Sequence, residues 1–129
     1  KIVEIGARLG GGCITTHLVP LSTGVNMVEA NIRIALGETP DLCKKYDKGA
    51  AIRFLQPLPG IFKSVEGVDE ARGISGVIEV GFMKKIGEVI PELSNGLDRV
   101  GYVITQGNTR EEAVRLCGQA VKKIKFEMV

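Results

Sequence analysis

Glu4, Arg8 and the triplet Gly10-Gly11-Gly12 fall within one short stretch, Glu4-Ile5-Gly6-Ala7-Arg8-Leu9-Gly10-Gly11-Gly12. If residues 2–6 form a strand, Glu4 shares a face with Ile2 and Gly6, and Arg8 returns to that face if the strand runs so far. A carboxylate and a guanidinium on one face, followed by a glycine loop, suit a metal-bound phosphate. The carboxylate offers oxygen to a hard cation such as Mg²⁺. The guanidinium presents a planar fork to phosphate or carboxylate oxygens. The glycines let backbone N–H groups approach an anion closely. A solvated ion pair ahead of a plain loop has the same pattern, so these residues alone define a candidate anion or metal-phosphate site.

Other side chains carry two readings each. His17, the single histidine, is either a substrate contact beyond the glycine loop or a hydrogen-bonded structural residue at a helix start. Thr15 and Thr16 either touch a substrate carboxylate or cap that helix. Cys13 and Cys43 read as small core-filling residues, and Asn26 as a helix-start residue. Met83-Lys84 shares a Met-Lys pair with the modified-lysine hairpin of biotinyl and lipoyl carrier domains; two exposed lysines at a turn are the ordinary explanation.

The elements that must position these residues follow from periodicity. Lys1-Ile2-Val3-Glu4-Ile5 reads as a strand already under way, which makes the chain the expected C-terminal piece of something longer. Val25, Val28, Ile32, Ala35 and Leu36 lie at helical spacing, with Gly37 as the stop and Pro40 beyond it. Residues 38–48 are a polar connector. Strands are expected at residues 51–56, 61–65, 77–82 and 99–104, separated by turn signals at residues 57–60, at Gly73, at Gly87 and at residues 94–96. Thr109 and Glu112 form a capping box ahead of Ala113, Val114, Cys117, Ala120, Val121 and Ile124. That amphipathic helix spans about four turns and takes in Lys122, Lys123 and Lys125 at its last turn, where cations suit the helix dipole. The fold class is α+β, a mainly antiparallel β layer with covering helices.

Composition narrows the function classes. The chain has 129 residues, 44% hydrophobic and 25% charged, enough apolar material for one small core. A net charge of +2 gives no basic field for nucleic acid. No run of roughly 18 apolar residues is present to span a bilayer, and no signal-peptide pattern opens the chain. Three cysteines far apart fit neither a disulfide framework nor a zinc site, and a reducing, cytoplasmic compartment is expected.

The stretch from Glu4 to Gly11 resembles the E-x-N-x-R-x-G-G strand and loop of the ATP-grasp superfamily. Thr23-Gly24-Val25-Asn26-Met27-Val28, followed by Ala35-Leu36-Gly37, is similar to the T-G-V-D-x-V helix that comes next in biotin carboxylase, carbamoyl-phosphate synthetase and amino-acid ligases. Gly101-Tyr102-Val103-Ile104 and Thr109-Arg110-Glu111-Glu112-Ala113 resemble, more loosely, the closing pattern of the L-amino-acid ligase branch.

The resemblance implies that residues 1–38 are the last strand, glycine loop and helix of a catalytic domain, and that residues 39–129 are a C-terminal β-rich subdomain closed by a helix. It implies a metal-binding role for Glu4 and a catalytic one for Arg8, on the γ-phosphate and the acyl phosphate. Gly10 and Gly11 are implied as the cofactor-binding loop that also lines the acceptor site. Gly6 departs from the pattern, since most relatives carry an asparagine ligand there; dipeptide-forming ligases also have a small residue, which favours that branch. The implied cofactors are ATP and Mg²⁺. The implied partners are upstream ATP-grasp domains of the same polypeptide and small carboxylate and amine substrates, and a homo-oligomer is compatible with them. The chain by itself is expected to be inactive. A biotin carboxylase or phosphoribosylamine–glycine ligase-like enzyme is the alternative, and a non-catalytic carrier module the third reading.

Overall fold

The structure, a computed structural model, describes residues 1, 2 and 5–129. The chain divides into two compact units, residues 1–48 and 49–129.

The first unit is helical among its described residues. A π-helical turn, Ile14–Leu18, runs into helix α1, Val19–Thr23, with Pro20 in its first turn. Proline suits that place because the first N–H groups of a helix have no partner within it. Gly24 ends α1 in the left-handed region, at φ 75°. A Cβ there would also lie 2.9 Å from Cβ of Lys45, so glycine is required on two counts. The segment 38–48 has no regular secondary structure, yet it is bonded to α1. Lys45 N–H donates to Thr23 O and Lys48 N–H to Ser22 O, both at 2.9 Å, and the Tyr46 hydroxyl donates to Pro20 O at 2.8 Å.

Helix α2 spans Met27–Ala35. The Asn26 carboxamide oxygen accepts from Glu29 N–H at 3.1 Å, the capping role its position suggested. The stop at Gly37 takes the Schellman form: Glu38 N–H donates to Arg33 O and Gly37 N–H to Ile34 O.

The second unit holds two three-stranded antiparallel sheets. Strands β1 (Gly49–Leu55), β2 (Gly60–Glu66) and β3 (Val77–Phe82) match the expected segments closely. A short helix α3, Val68–Arg72, joins β2 to β3, and a two-residue strand β4, Val89–Ile90, follows. Strand β5 (Gly101–Gly107) precedes helix α4 (Arg110–Lys123) and strand β6 (Lys125–Met128). One sheet has the order β1-β5-β3, the other β4-β2-β6. Lys125 therefore belongs to a strand and not to the last helical turn. Helix α4 ends at Lys123, and Ile124 turns into extended backbone (φ −81°, ψ 121°). Pairing with β2, Glu66 opposite Lys125 and Val65 opposite Phe126, satisfies backbone groups that another helical turn would have satisfied internally.

Helix α4 packs on the β1-β5-β3 sheet. Ala113, Cys117 and Ala120 are wholly buried against Ala51, Leu55, Val80 and Val103. Three small residues at helical spacing let the helix backbone approach the strands closely. The approach is close at Gly49, where an added Cβ would meet the Thr109 carbonyl. Thr105, also wholly buried, donates its hydroxyl hydrogen bond to Ala113 O at 2.8 Å, which removes the cost of burying it. Thr109 caps α4 as expected, its hydroxyl accepting from Glu112 N–H at 3.1 Å. The reciprocal bond is displaced by one residue: the Glu112 carboxylate accepts from Asn108 N–H. A second core gathers Phe62, Ile90 and Val100, with Phe82 and Phe126 against it.

Of the two cysteines expected to fill the core, Cys43 is exposed and Cys13 only half-buried; the buried thiol is Cys117. Residues 38–48 lack an apolar face of their own, so Cys43 has no core to enter. Burial pushes the Cys117 thiol above its ordinary range.

Candidate functional site

The glycine loop is held from within. Gly12 and Cys13 both adopt left-handed backbone, at φ 62° and 64°, and Ile14 N–H donates across them to Gly11 O at 3.2 Å. Two consecutive positive φ values under such a bond are the signature of a type I′ turn. Cys13 is the one non-glycine residue with positive φ among those described. That conformation costs a side-chain-bearing residue about 1–3 kcal/mol and persists only where neighbours enforce it. Here the Cys13 carbonyl is clamped by two donors, His17 N–H and Leu18 N–H, each at 3.0 Å. The second of these makes the following turn a π-helix, a form frequent at functional sites. The Thr15 hydroxyl donates to Gly10 O at 2.7 Å, and Thr15 is only 4% exposed.

Neither threonine caps the helix; the capping position is taken by Cys13, which makes no side-chain cap bond. Thr16 pairs instead with His17, its hydroxyl 2.8 Å from Nδ1.

Arg8 is exposed at a bend, not on a strand, and its Nη1 donates to Leu9 O at 3.1 Å. Glu4, the expected metal ligand, lies outside the described residues. Gly10 and Gly11 are exposed beside the Thr15 contact. The structure thus joins Thr15 to Gly10, a role that is neither a helix cap nor a substrate contact. A hydroxyl reaching five residues back along the chain leaves no periodic trace.

A polar cleft of about 350 Å³ lies beside α2, lined by Asn26, Glu29, Arg33, Asp41 and Lys45 among others. Arg8, Gly10 and Gly11 do not line it. Arg33 is engaged by Glu29 and Glu38, each at 2.9 Å, and the hydrogen bond it donates to Glu29 raises its already high pKa further. Among the described residues, no group of three His, Cys, Asp or Glu side chains comes together to hold a metal ion. Gly6 offers no side-chain ligand.

Lys84 does not sit at the tip of a hairpin between consecutive strands, as a carrier lysine would. Strand β3 pairs with β5, and the backbone N–H groups of Met83 and Lys84 both donate to Val100 O. No helix among the described residues is long and apolar enough to cross a membrane.

Comparison with known proteins bears on the whole chain. A protein of Sinorhizobium fredii, carried under the name uncharacterized protein y4rH, is 29% identical over 128 residues, 98% of this chain and 27% of that protein. Two solved structures share the fold. Phosphoribosylglycinamide synthetase from Anaerococcus prevotii aligns with a TM-score of 0.79 at 20% identity, covering 95% of this chain and 32% of that one. L-amino acid ligase from Bacillus licheniformis aligns with a TM-score of 0.78 at 19% identity, covering 96% of this chain and 31% of that one. The chain therefore spans a third or less of the length of these relatives. Their fold agrees with the α+β, mainly antiparallel architecture expected for the C-terminal part of an ATP-grasp enzyme. Residues 53–129, more than half of the sequence, match the family L-amino acid ligase C-terminal domain 2, and the chain belongs to that family, within the ATP-grasp enzymes.

Proposed function

We propose that the protein carrying this chain is an ATP-dependent carboxylate–amine ligase that joins an amino acid to an amine through an acyl phosphate. The observation that carries the reading is the family match over residues 53–129. The two solved structures resemble the chain almost equally, with TM-scores of 0.79 and 0.78, so the fold does not choose between ligase branches; the family match supports the amino-acid ligase reading.

In this reading a substrate carboxylate oxygen attacks the γ-phosphorus of ATP and ADP leaves. The amine nitrogen then attacks the acyl carbon, inorganic phosphate departs with the C–O electron pair, and the amine gives up a proton. Catalysis of this type is mostly positioning and charge neutralisation. Arg8 supplies a planar cation to the oxygens of the transferring group. Gly10 and Gly11 bring backbone close to phosphate and acceptor. Glu4 contributes one carboxylate toward Mg²⁺, and the remaining ligands come from other parts of the enzyme. Residues 1–38 act as the end of the catalytic domain, residues 39–129 as the closing subdomain, and three reduced thiols suit a cytoplasmic setting. Ile2, Ile5, Ile32, Ile34 and Leu36 are each more than half exposed, apolar surface that upstream domains of the same polypeptide would cover.

The test is product analysis on the full-length protein with MgATP and a panel of amino acids. ADP and phosphate released only when a carboxylate and an amine are both present, with a hydroxamate trapped by hydroxylamine, is the expected result. Release of AMP and pyrophosphate, or no turnover with any pair, would overturn the proposal.

A further inference from the structure

We infer that Thr15 is a positioning residue for the ligase reaction, fixing the entry to the Gly11–Ile14 turn through its bond to Gly10 O. The inference rests on the proposed function for what the turn does, and on geometry alone for how it is held.

The geometry sets Thr15 apart from its neighbours. Ser22 and Thr23 are also hydroxyl residues in a helical segment, and each donates to a carbonyl one turn back in its own helix, Leu18 O and Val19 O, both at 2.7 Å. That is how helical hydroxyls commonly satisfy themselves. Thr15 instead reaches out of its π-helical turn to Gly10 O. Thr15 and Thr105 are the buried polar side chains among the described residues. The hydroxyl of Thr105 locks helix to sheet, whereas that of Thr15 is spent on the loop.

Its position decides what it controls. The Gly11 carbonyl is held by Ile14 N–H and the Cys13 carbonyl by His17 and Leu18 N–H. Those bonds fix the Gly11–Ile14 turn at its first and third residues. Thr15 fixes the residue that leads into it, Gly10, which no backbone donor of the turn reaches. Gly10 adjoins Arg8 through Leu9, so this bond sets the path by which the chain leaves Arg8 and enters the acceptor loop. The donor is buried, at 4% exposure, and a hydrogen bond from a desolvated donor is stronger than one in water, which stiffens that restraint.

The experiment compares Thr15→Val, which keeps the shape and removes the donor, with Thr15→Ser, which keeps the donor, in the full-length protein. Hydrogen exchange over residues 10–13 and the KM values for amine and ATP are measured together. Thr15→Val should speed loop exchange and raise the amine KM by roughly three- to tenfold, the equivalent of one hydrogen bond. The ATP KM should stay within about twofold, and Thr15→Ser should restore wild-type values, because only the hydroxyl has been tested. A lower melting temperature with loop exchange and amine KM unchanged would make Thr15 a plain core residue and overturn the inference. If the wild-type protein turns over no carboxylate–amine pair, the functional reading fails separately, and unchanged loop exchange in Thr15→Val still overturns the restraint. Should Thr15→Val not fold, Gly10→Ala perturbs the same contact from the other side, since its Cβ would lie 3.3 Å from Thr15 Oγ1. Faster loop exchange there supports the restraint, and wild-type exchange refutes it.

Discussion

Adding one methyl group to Gly49 and to Gly118 should move stability in opposite directions. At Gly49, the first residue of β1, a Cβ would collide with the Thr109 carbonyl and approach Arg110 N to 2.6 Å. Ordinary contacts to a Cβ begin above 3 Å, so the start of β1 and the start of α4 must separate by an ångström or more. The capping residue itself lies in the collision. Overpacking costs about 1–3 kcal/mol, and disturbing the Thr109 cap adds about 1 kcal/mol. Gly49→Ala should therefore destabilise by about 2–4 kcal/mol. Gly118 lies within α4, and a Cβ there meets nothing within 4 Å. Alanine at a helix-interior glycine should stabilise by about 0.5–1 kcal/mol. Urea unfolding monitored by circular dichroism reads both, with the midpoint shift converted through a common m-value. Gly49→Ala within about 0.5 kcal/mol of wild type, or a destabilising Gly118→Ala, would refute the close docking of α4 on β1 as the feature that demands glycine.

Three further outcomes are expected. In the full-length enzyme Glu4→Gln should raise the Mg²⁺ concentration needed for half-maximal turnover while leaving the thermal melt unchanged, because the charge that holds a hard cation is gone and the shape is not; normal turnover at limiting Mg²⁺ would remove Glu4 from the metal site. Arg8→Lys should be nearly as damaging as Arg8→Ala, with kcat falling by more than KM rises, since one ammonium cannot replace a bidentate fork; steady-state kinetics with near-normal kcat for the lysine variant would return Arg8 to the solvated surface. Glu127 accepts from Lys63 and Ser64 across the β2–β6 pair, and the hydrogen bond from Lys63 holds its pKa below the ordinary carboxylate value of 4.5. A depressed folded-state pKa contributes stability that is complete above the unfolded value and is lost as pH falls through the folded one. Melting temperature should thus fall more steeply with acidification below about pH 4.5 in wild type than in Glu127→Gln, and parallel curves would discount the pair.

Where a feature is written in neighbouring residues, the sequence alone determined it. Asn26 before α2, Gly37 after it and Thr109 before α4 act on backbone groups two to four residues away, so their effect survives any tertiary arrangement. The same holds for the alternation that marked β1, β2 and β3, and for the order Glu4, Arg8, Gly10, Gly11 that carried the family resemblance. Tertiary structure decided what depends on partners distant along the chain. Lys125 carries cues for the end of a helix, yet β6 forms because its hydrogen-bond partners are Phe62–Glu66, far earlier in the sequence. The two-residue β4 exists only through its pairing with Gly60 and Ile61. Cys117 is buried because α4 lies on a sheet, and Cys43 is exposed in a segment without regular secondary structure. At the site itself, the glycines were legible as permissive residues, but permission does not select a conformation. The carbonyl bonds from Thr15, Ile14, His17 and Leu18 select it, and a bond between a buried side chain and a loop carbonyl is a matter of proximity that no residue type or spacing encodes.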